Sequence, residues 1–308
     1  MSEIVVLSGK GGTGKTSLTA AFAELAGQAV IADCDVDAAD LALVLGGEQV
    51  SSFPFQAGAQ AQIDRTACNG CGICRARCHF RAITTGEGAI FSIDPLACEG
   101  CGVCAFVCPA DAIRMIDCIA GHWFITDSAY GALVHARLIP GAENSGKLVT
   151  RVRQEAERIA ARESIDLRLV DGPPGVGCPV IASCTGADAV VLVTEPSVSG
   201  EHDLARVIEL IRRFALRAYL IVNRWDLAPE LTSAIETAAI AAGVMPIGRI
   251  PQDPAFVAAQ LRGVPVTTQG GPIAQTVAAI WHRLQYREAQ HAAGRALPTA
   301  VDRGPPAP

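Results

Sequence analysis

The stretch Gly9-Lys10-Gly11-Gly12-Thr13-Gly14-Lys15-Thr16 follows an apolar run of strand length at 4–8 and precedes a helical pattern at 16–26. It satisfies G-x-x-x-x-G-K-S/T, and a strand–loop–helix context is the one in which that pattern cradles phosphate. Glycines let the backbone wrap an anion with its N–H groups, Lys15 supplies a point charge near the β- and γ-phosphates, and the Thr16 hydroxyl can ligate Mg²⁺. Gly9, Gly11, Gly12, Thr13, Gly14 and Ser17 complete the expected nucleotide contacts. The alternative is a glycine-rich structural turn, against which the strand and helix on either side weigh.

Outward from the loop, apolar runs at 29–33, 166–171, 189–194, 218–223 and 245–250 read as further strands. Helical patterns at 147–162, 200–215, 229–242 and 272–288 alternate with them. Strands apolar on both faces belong to a parallel sheet covered by helices. The expected fold class is therefore α/β, a doubly wound, mainly parallel sheet. Ser199 is the expected N-cap of the helix at 200–215, with Glu201 and Asp203 in its first turn.

From about 64 to 117 the rhythm breaks and a 30-residue offset repeat appears: Cys68-Asn-Gly-Cys71-Gly-Ile-Cys74-Arg-Ala-Arg-Cys78 against Cys98-Glu-Gly-Cys101-Gly-Val-Cys104-Ala-Phe-Val-Cys108. Each half has the spacing C-x2-C-x2-C-x3-C, in which the fourth cysteine ligates the other cluster of a two-cluster bacterial ferredoxin. The expected ligand sets are Cys68, Cys71, Cys74 and Cys108 for one 4Fe–4S cluster, and Cys98, Cys101, Cys104 and Cys78 for the other. Zinc is the alternative, but it closes with four ligands and has no need of a third cysteine in each run. His79 stands where Pro109 stands in the second half, which bears on the local turn rather than on ligation. The segment reads as a small α+β ferredoxin-type domain inserted between 1–63 and 118–288, with 289–308 an expected disordered tail.

A second lysine inside the phosphate loop, Lys10 in Lys-Gly-Gly-Thr-Gly-Lys-Thr, resembles the deviant Walker A motif of the MinD/ParA family, to which the nitrogenase iron protein and the Mrp-type ATPases also belong. The resemblance implies ATP hydrolysis by a homodimer that sandwiches nucleotide, with Lys10 reaching the partner's phosphates. It makes Asp35, in Asp33-Cys34-Asp35-Val36-Asp37, the residue that orients or deprotonates the attacking water. Asp171, in Asp171-Gly172-Pro173-Pro174-Gly175, would then hold Mg²⁺ through water. Asn223-Arg224 resembles the family's adenine contact, with Pro251 beside the base, although the Asn-x-x-Asp spacing to Asp226 also matches a guanine-reading motif. Asp37 and Asp40 read as solvated or helix-capping residues. The resemblance reaches nearly the whole chain except the last twenty residues.

With 308 residues, half of them apolar, and a formal charge of −6, the chain supports a sizeable core and gives no global basis for nucleic-acid binding. No apolar stretch is long enough to span a bilayer, and the first residues lack the features of a secretory leader, so a reducing cytoplasmic setting is expected. Outside the two arrays stand Cys34, Cys118, Cys178 and Cys184. Cys178 lies at the offset from Asp171 where the nitrogenase iron protein places a ligand of its bridging cluster; the second ligand's place falls near Asn144 or Ser145, leaving Cys118 as the candidate recruit. The expected function is an ATP-driven dimeric switch that controls electron transfer or metal-cluster handling for a redox or cofactor-client protein. The alternatives are a MinD-like positioning or scaffold ATPase and a carrier for iron–sulfur or molybdenum cofactor assembly.

Overall fold

The computed structural model describes residues 2–86, 90–142 and 145–296. Strand β1 (Ser2–Ser8) leads through the glycine loop into α1 (Lys15–Ala26), and β2 (Val30–Asp33) is followed by the short α2 (Leu41–Leu45). A long β3 (Glu48–Ile63) carries the chain to the cysteine segment, which holds α3 (Ile73–Arg77), the hairpin β4 (Ile83–Thr85) and β5 (Phe91–Ile93), and α4 (Val103–Phe106). The return is made by β6 (Ile113–Ser128) and β7 (Gly131–Leu138), then α5 (Ser145–Glu163), β8 (Leu167–Pro174), α6 (Cys178–Cys184) and β9 (Ala189–Thr194). The chain continues through α7 (Val198–Arg212), β10 (Arg217–Asn223), α8 (Pro229–Ala241), β11 (Met245–Ile250), α9 (Ala255–Arg262) and α10 (Gly271–Ala296).

Nine strands make one sheet in the order β11-β10-β9-β1-β8-β2-β7-β6-β3. The seven from β11 to β7 run parallel, whereas β6 and β3 are antiparallel to their neighbours. Alternation along each central strand sorts the core into two layers. Val5 and Leu7 of β1 face Leu148, Val152 and Ile159 of α5 and Leu204 and Val207 of α7 in one cluster. Ile4 and Val6 face the other way, onto Leu18 and Phe22 of α1 and Trp281 and Leu284 of α10. Trp281 is 1 % exposed, with its ring centroid 5.1 Å from that of Phe22. Trp281→Ala should cost about 3–5 kcal/mol of stability, read as a lowered midpoint in urea unfolding.

Several expectations need correction. The cap of α7 is Ser197, not Ser199: Ser197 has extended backbone, φ −134° and ψ 154°, and its hydroxyl accepts the Gly200 N–H. Ser199 already lies inside the first turn. Asp40 occupies the N-cap position of α2 without a side-chain cap bond. The tail expected from 289 is helical in α10 as far as Ala296, and 297–308 lie outside the described residues. Strands β3, β6 and β7 went unforeseen, and β6 crosses the expected 117/118 boundary without a break.

The inserted segment repeats its backbone bonds at the 30-residue offset. Asp64 N–H donates to Ala112 O and Asp94 N–H to Ala82 O, both at 2.8 Å, while Arg81 and Asp111 bond back to Cys78 O and Cys108 O. Its own core is small: Ala61, Cys74, Ile83, Phe91 and Ile113, with four more of the cysteines packed against them. Among the described residues no helix is long and apolar enough to cross a membrane.

Candidate functional site

The phosphate loop opens onto a cleft lined by Gly11 to Ser17, Asp35, Asn223, Arg224, Pro251 and Gln260. Gly14 closes the loop at φ 93°, where a Cβ would also stand 2.5 Å from the Asn223 amide nitrogen. A side chain there is excluded twice, by backbone strain and by contact. Nothing lies within 4 Å of the positions a Cβ would take at Gly11 and Gly12, so that wall of the cleft is bare backbone. The Thr13 hydroxyl is buried in the loop with no hydrogen-bond partner among the described residues. An orphaned buried hydroxyl is costly unless a ligand completes it.

Lys15 is nearly buried and donates to Asp171 Oδ1 at 2.9 Å, with Asp35 Oδ2 at 3.7 Å. Asp171 is fully buried and also accepts from the Thr16 hydroxyl at 2.7 Å and the Thr19 hydroxyl at 3.0 Å. Parallel pairing of β2 with β8 puts Asp33 directly beside Asp171. Asp33 accepts the N–H groups of Leu41 and Asp35. Burial, then the charge of Asp171, pushes its carboxyl well above the ordinary range despite Lys15 and those two N–H donors. Asp35 is also held up, by burial first, with Lys15 opposing and Asp171 and Asp37 adding to it. For Lys15 burial works against the charged form, but Asp171, Asp35 and Asp33 outweigh it and hold the ammonium above its usual value. One lysine thus sits among three carboxylates, an excess of negative charge that a divalent cation relieves.

Gly9 and Lys10 do not line the cleft. Gly9 packs on the backbone of Asp203 in α7, where a Cβ would come within 2.6 Å. Lys10 Nζ meets Glu195 Oε1 at 2.7 Å and donates to the hydroxyls of Ser197 and Ser199 at 3.0 and 2.9 Å. Glu195 Oε2 pairs with Arg224 at 2.8 Å. Burial raises the Glu195 carboxyl, and the two cations outweigh it, leaving it below its ordinary range. Glu195 was not singled out from sequence; its place at the end of β9, beside the phosphate-loop strand, is the signal that would have found it.

Asn223 donates its amide to Thr13 O at 2.8 Å and accepts the Arg224 N–H at 3.0 Å. In this arrangement it braces the phosphate loop. Asp226, the carboxylate of the guanine-type spacing, does not line the cleft and accepts the Gln252 N–H at 2.7 Å. Ser17 lines the cleft and receives the Gln260 amide at 2.9 Å.

In the insert, Cys68, Cys71, Cys74 and Cys108 line one small hollow. Cys98, Cys101, Cys104 and Cys78 line a second. Gly72 and Gly102, at φ 75° and 76°, open α3 and α4 at equivalent places beside these hollows. The Ala112 N–H donates to Cys108 Sγ at 3.3 Å. All twelve cysteines are free thiols. Among the described residues no three His, Cys, Asp or Glu converge closely enough to hold a metal ion.

Of the remaining cysteines, Cys34 and Cys184 are buried, and burial pushes the Cys184 thiol up to about 12. Cys178 is exposed at the start of α6, beside Gly146, and Cys118 lies on β6. Asn144 is outside the described residues.

Comparison with known proteins agrees with this geometry. The family model for the CobQ/CobB/MinD/ParA nucleotide binding domain matches residues 4–266. The uncharacterised protein MJ0578 of Methanocaldococcus jannaschii is 33 % identical over 226 residues, covering 72 % of this chain and 78 % of that protein. The septum site-determining protein MinD of Synechocystis is 26 % identical over 277 residues, 86 % of this chain and 82 % of that one. The solved structure of the septum site-determining protein MinD with Mg-ADP from Pyrococcus horikoshii superposes with a TM-score of 0.56 at 19 % identity, covering 96 % of this chain and 99 % of that one. With a glycine loop, buried Lys15–Asp171 pair and parallel sheet matched over residues 4–266, the chain belongs to the CobQ/CobB/MinD/ParA nucleotide-binding family.

Proposed function

We propose that the chain is an ATP-hydrolysing switch that dimerises around nucleotide and governs electron transfer through two 4Fe–4S clusters in its insert. The observation that carries this reading is the pair of four-cysteine hollows mounted on β3 and β6, strands continuous with the nucleotide-binding sheet. The eight cysteines surround two spaces instead of meeting at two points. A 4Fe–4S cluster takes four thiolates around a polyatomic core, whereas a single zinc draws its sulfurs to about 2.3 Å from one centre. A segment with so small a core and no disulfides also needs filling to be stable. Bound clusters would supply one-electron chemistry; the chain's part is to hold them with the eight thiolates and direct N–H groups at the sulfurs.

Lys15, Thr16 and Asp171 would hold the phosphates and Mg²⁺, which neutralises charge on the transferring group. Asp35 takes a proton from water as its oxygen bonds to the γ-phosphorus and the bond to the β-phosphate oxygen breaks. Lys10, held away from its own cleft by Glu195, would act on the partner's nucleotide once it leaves that carboxylate. Switch residues Asp33 to Asp40 run directly into α2 and then β3, so a shift of Asp35 has a short covalent route to the ribbon that carries the insert.

Because burial raises the Asp35 carboxyl, it takes up its proton at a higher pH than an ordinary carboxylate. As the base must be ionised, the acid limb of hydrolysis should lie above the usual carboxylate range, with activity falling as pH drops through it. Asp35→Asn should remove that limb and slow turnover about 10²–10⁴-fold, as a pH–rate profile of phosphate release would show. The reading as a whole is tested by iron and acid-labile sulfide content after anaerobic purification, alongside ATP hydrolysis. About eight irons per chain are expected; stoichiometric zinc, or no metal at all, would overturn it.

A positioning role of MinD type is the second reading, favoured by the shared fold and by the relatives named as septum site-determining proteins. A solved Aquifex aeolicus structure shows MinD together with MinC. That reading leaves the cysteine hollows without a use. In α10, Trp281 and Leu284 are buried in the core and are not available to a membrane surface. ATP-dependent pelleting with liposomes separates the two.

A further inference from the structure

The two halves of the insert share one backbone but carry different surfaces. In the first half the positions between and after the last two cysteines are Arg75, Arg77 and Arg81; their counterparts in the second are Ala105, Val107 and Asp111. All three arginines are exposed. Arg75 donates to the Thr85 hydroxyl at 2.9 Å, and no ion pair joins any of the three to a described residue. Within seven residues of sequence the chain thus carries three cations with no carboxylate partner among the described residues, although its overall charge is −6. Beside them, α4 packs against α3 and presents Phe106, 92 % exposed, and Val103. Phe80 and Val103 border the second cysteine hollow and are exposed, and Cys101 in its wall is exposed too. An apolar contact with charge at its rim is how protein interfaces combine burial with steering.

We infer that this face, Arg75, Arg77 and Arg81 beside Val103 and Phe106, docks a small acidic electron-carrier protein against the second cysteine hollow. The inference rests on the redox reading above. Charge complementarity selects the partner: carboxylates around its redox centre meet the arginines, and an apolar spot covers Phe106. One electron then leaves the reduced carrier and enters the insert, with no bond made or broken and no proton moved. In the second half Glu99, in the wall of that hollow, and Asp111 are exposed, so the insert is dipolar and the carrier's carboxylates are steered to the arginine side.

The test uses the anaerobically purified full chain, with iron content measured for every variant. A reduced acidic plant-type ferredoxin is the probe and the basic cytochrome c the control, in stopped-flow kinetics at 50 and 500 mM salt. The ferredoxin rate should fall steeply with salt, since the Debye length shrinks to a few ångströms. Arg75→Glu with Arg77→Glu should lower the low-salt rate about tenfold or more and flatten the salt dependence, while the rate with cytochrome c rises. Phe106→Ala should slow transfer severalfold without altering the salt slope. Iron-loaded protein whose ferredoxin rate ignores both salt and charge reversal would overturn this inference alone. So would self-association abolished by Phe106→Ala, which gives the face to a second copy. Protein that takes up no iron would overturn it together with the redox reading.

Discussion

Lys15→Ala is expected to reduce ATP hydrolysis at least about 10²–10³-fold, the usual effect of losing a donor aimed at developing charge. It should also weaken the protein before any nucleotide is added. Asp171 is fully buried and retains the Thr16 and Thr19 hydroxyls, but Asp33 and Asp35 lie close by and, among the described residues, no other cation is within ion-pair distance of Asp171. Removing one member of a buried ion pair typically costs about 3–5 kcal/mol because the other charge is left uncompensated. The contrast with Lys10 makes the prediction specific. Lys10 is partly exposed and its partner Glu195 keeps Arg224, so Lys10→Ala should change apo stability by no more than about 1 kcal/mol. Urea unfolding without nucleotide and single-turnover hydrolysis, run on both variants, separate a cation that holds the site together from one held for use on a partner.

The second large effect concerns which cysteines act together. Hollow membership crosses the repeats: Cys108 belongs with the first three cysteines and Cys78 with the later three. Cys74→Ser with Cys108→Ser should therefore damage one site and leave about four irons, whereas Cys74→Ser with Cys78→Ser should damage both and leave almost none. If each repeat ligated its own cluster, those two results would be exchanged. Iron quantification and low-temperature electron paramagnetic resonance of the reduced variants read the difference, and retained ATP hydrolysis shows that the nucleotide domain is still folded.

The central strands were legible because they are buried on both faces and read as unbroken apolar runs, as 189–194 does. The outer strands obey different physics. β3 is almost wholly exposed or half-exposed, carries Pro54 and Gly58, and is rich in glutamine and alanine, so neither an apolar run nor a clear alternation marks it. Its extended form is imposed by pairing with β6, whose partner residues lie 50 to 79 positions away in sequence and which local pattern cannot supply. The α7 cap failed for a narrower reason: the helix begins at Val198, before the expected 200, so the serine that precedes it is Ser197 and not Ser199. The structure assigns the first to the Gly200 N–H and turns both hydroxyls toward Lys10. Lys15, Thr16 and Asp171 were readable as a group because strand-end motifs converge at one edge of a parallel sheet. Glu195 carries no motif, and only the fold shows that it gathers Lys10 and Arg224.

The most direct test of the whole account is the reoxidation of reduced, iron-loaded protein by a fixed acceptor, followed without nucleotide, with ATP and with a non-hydrolysable analogue. The account predicts that nucleotide changes the rate or the potential, that the analogue traps one of the two behaviours, and that Lys10→Ala abolishes the change while leaving the iron content intact. Reoxidation that is identical in all three conditions, in protein that hydrolyses ATP, would contradict it.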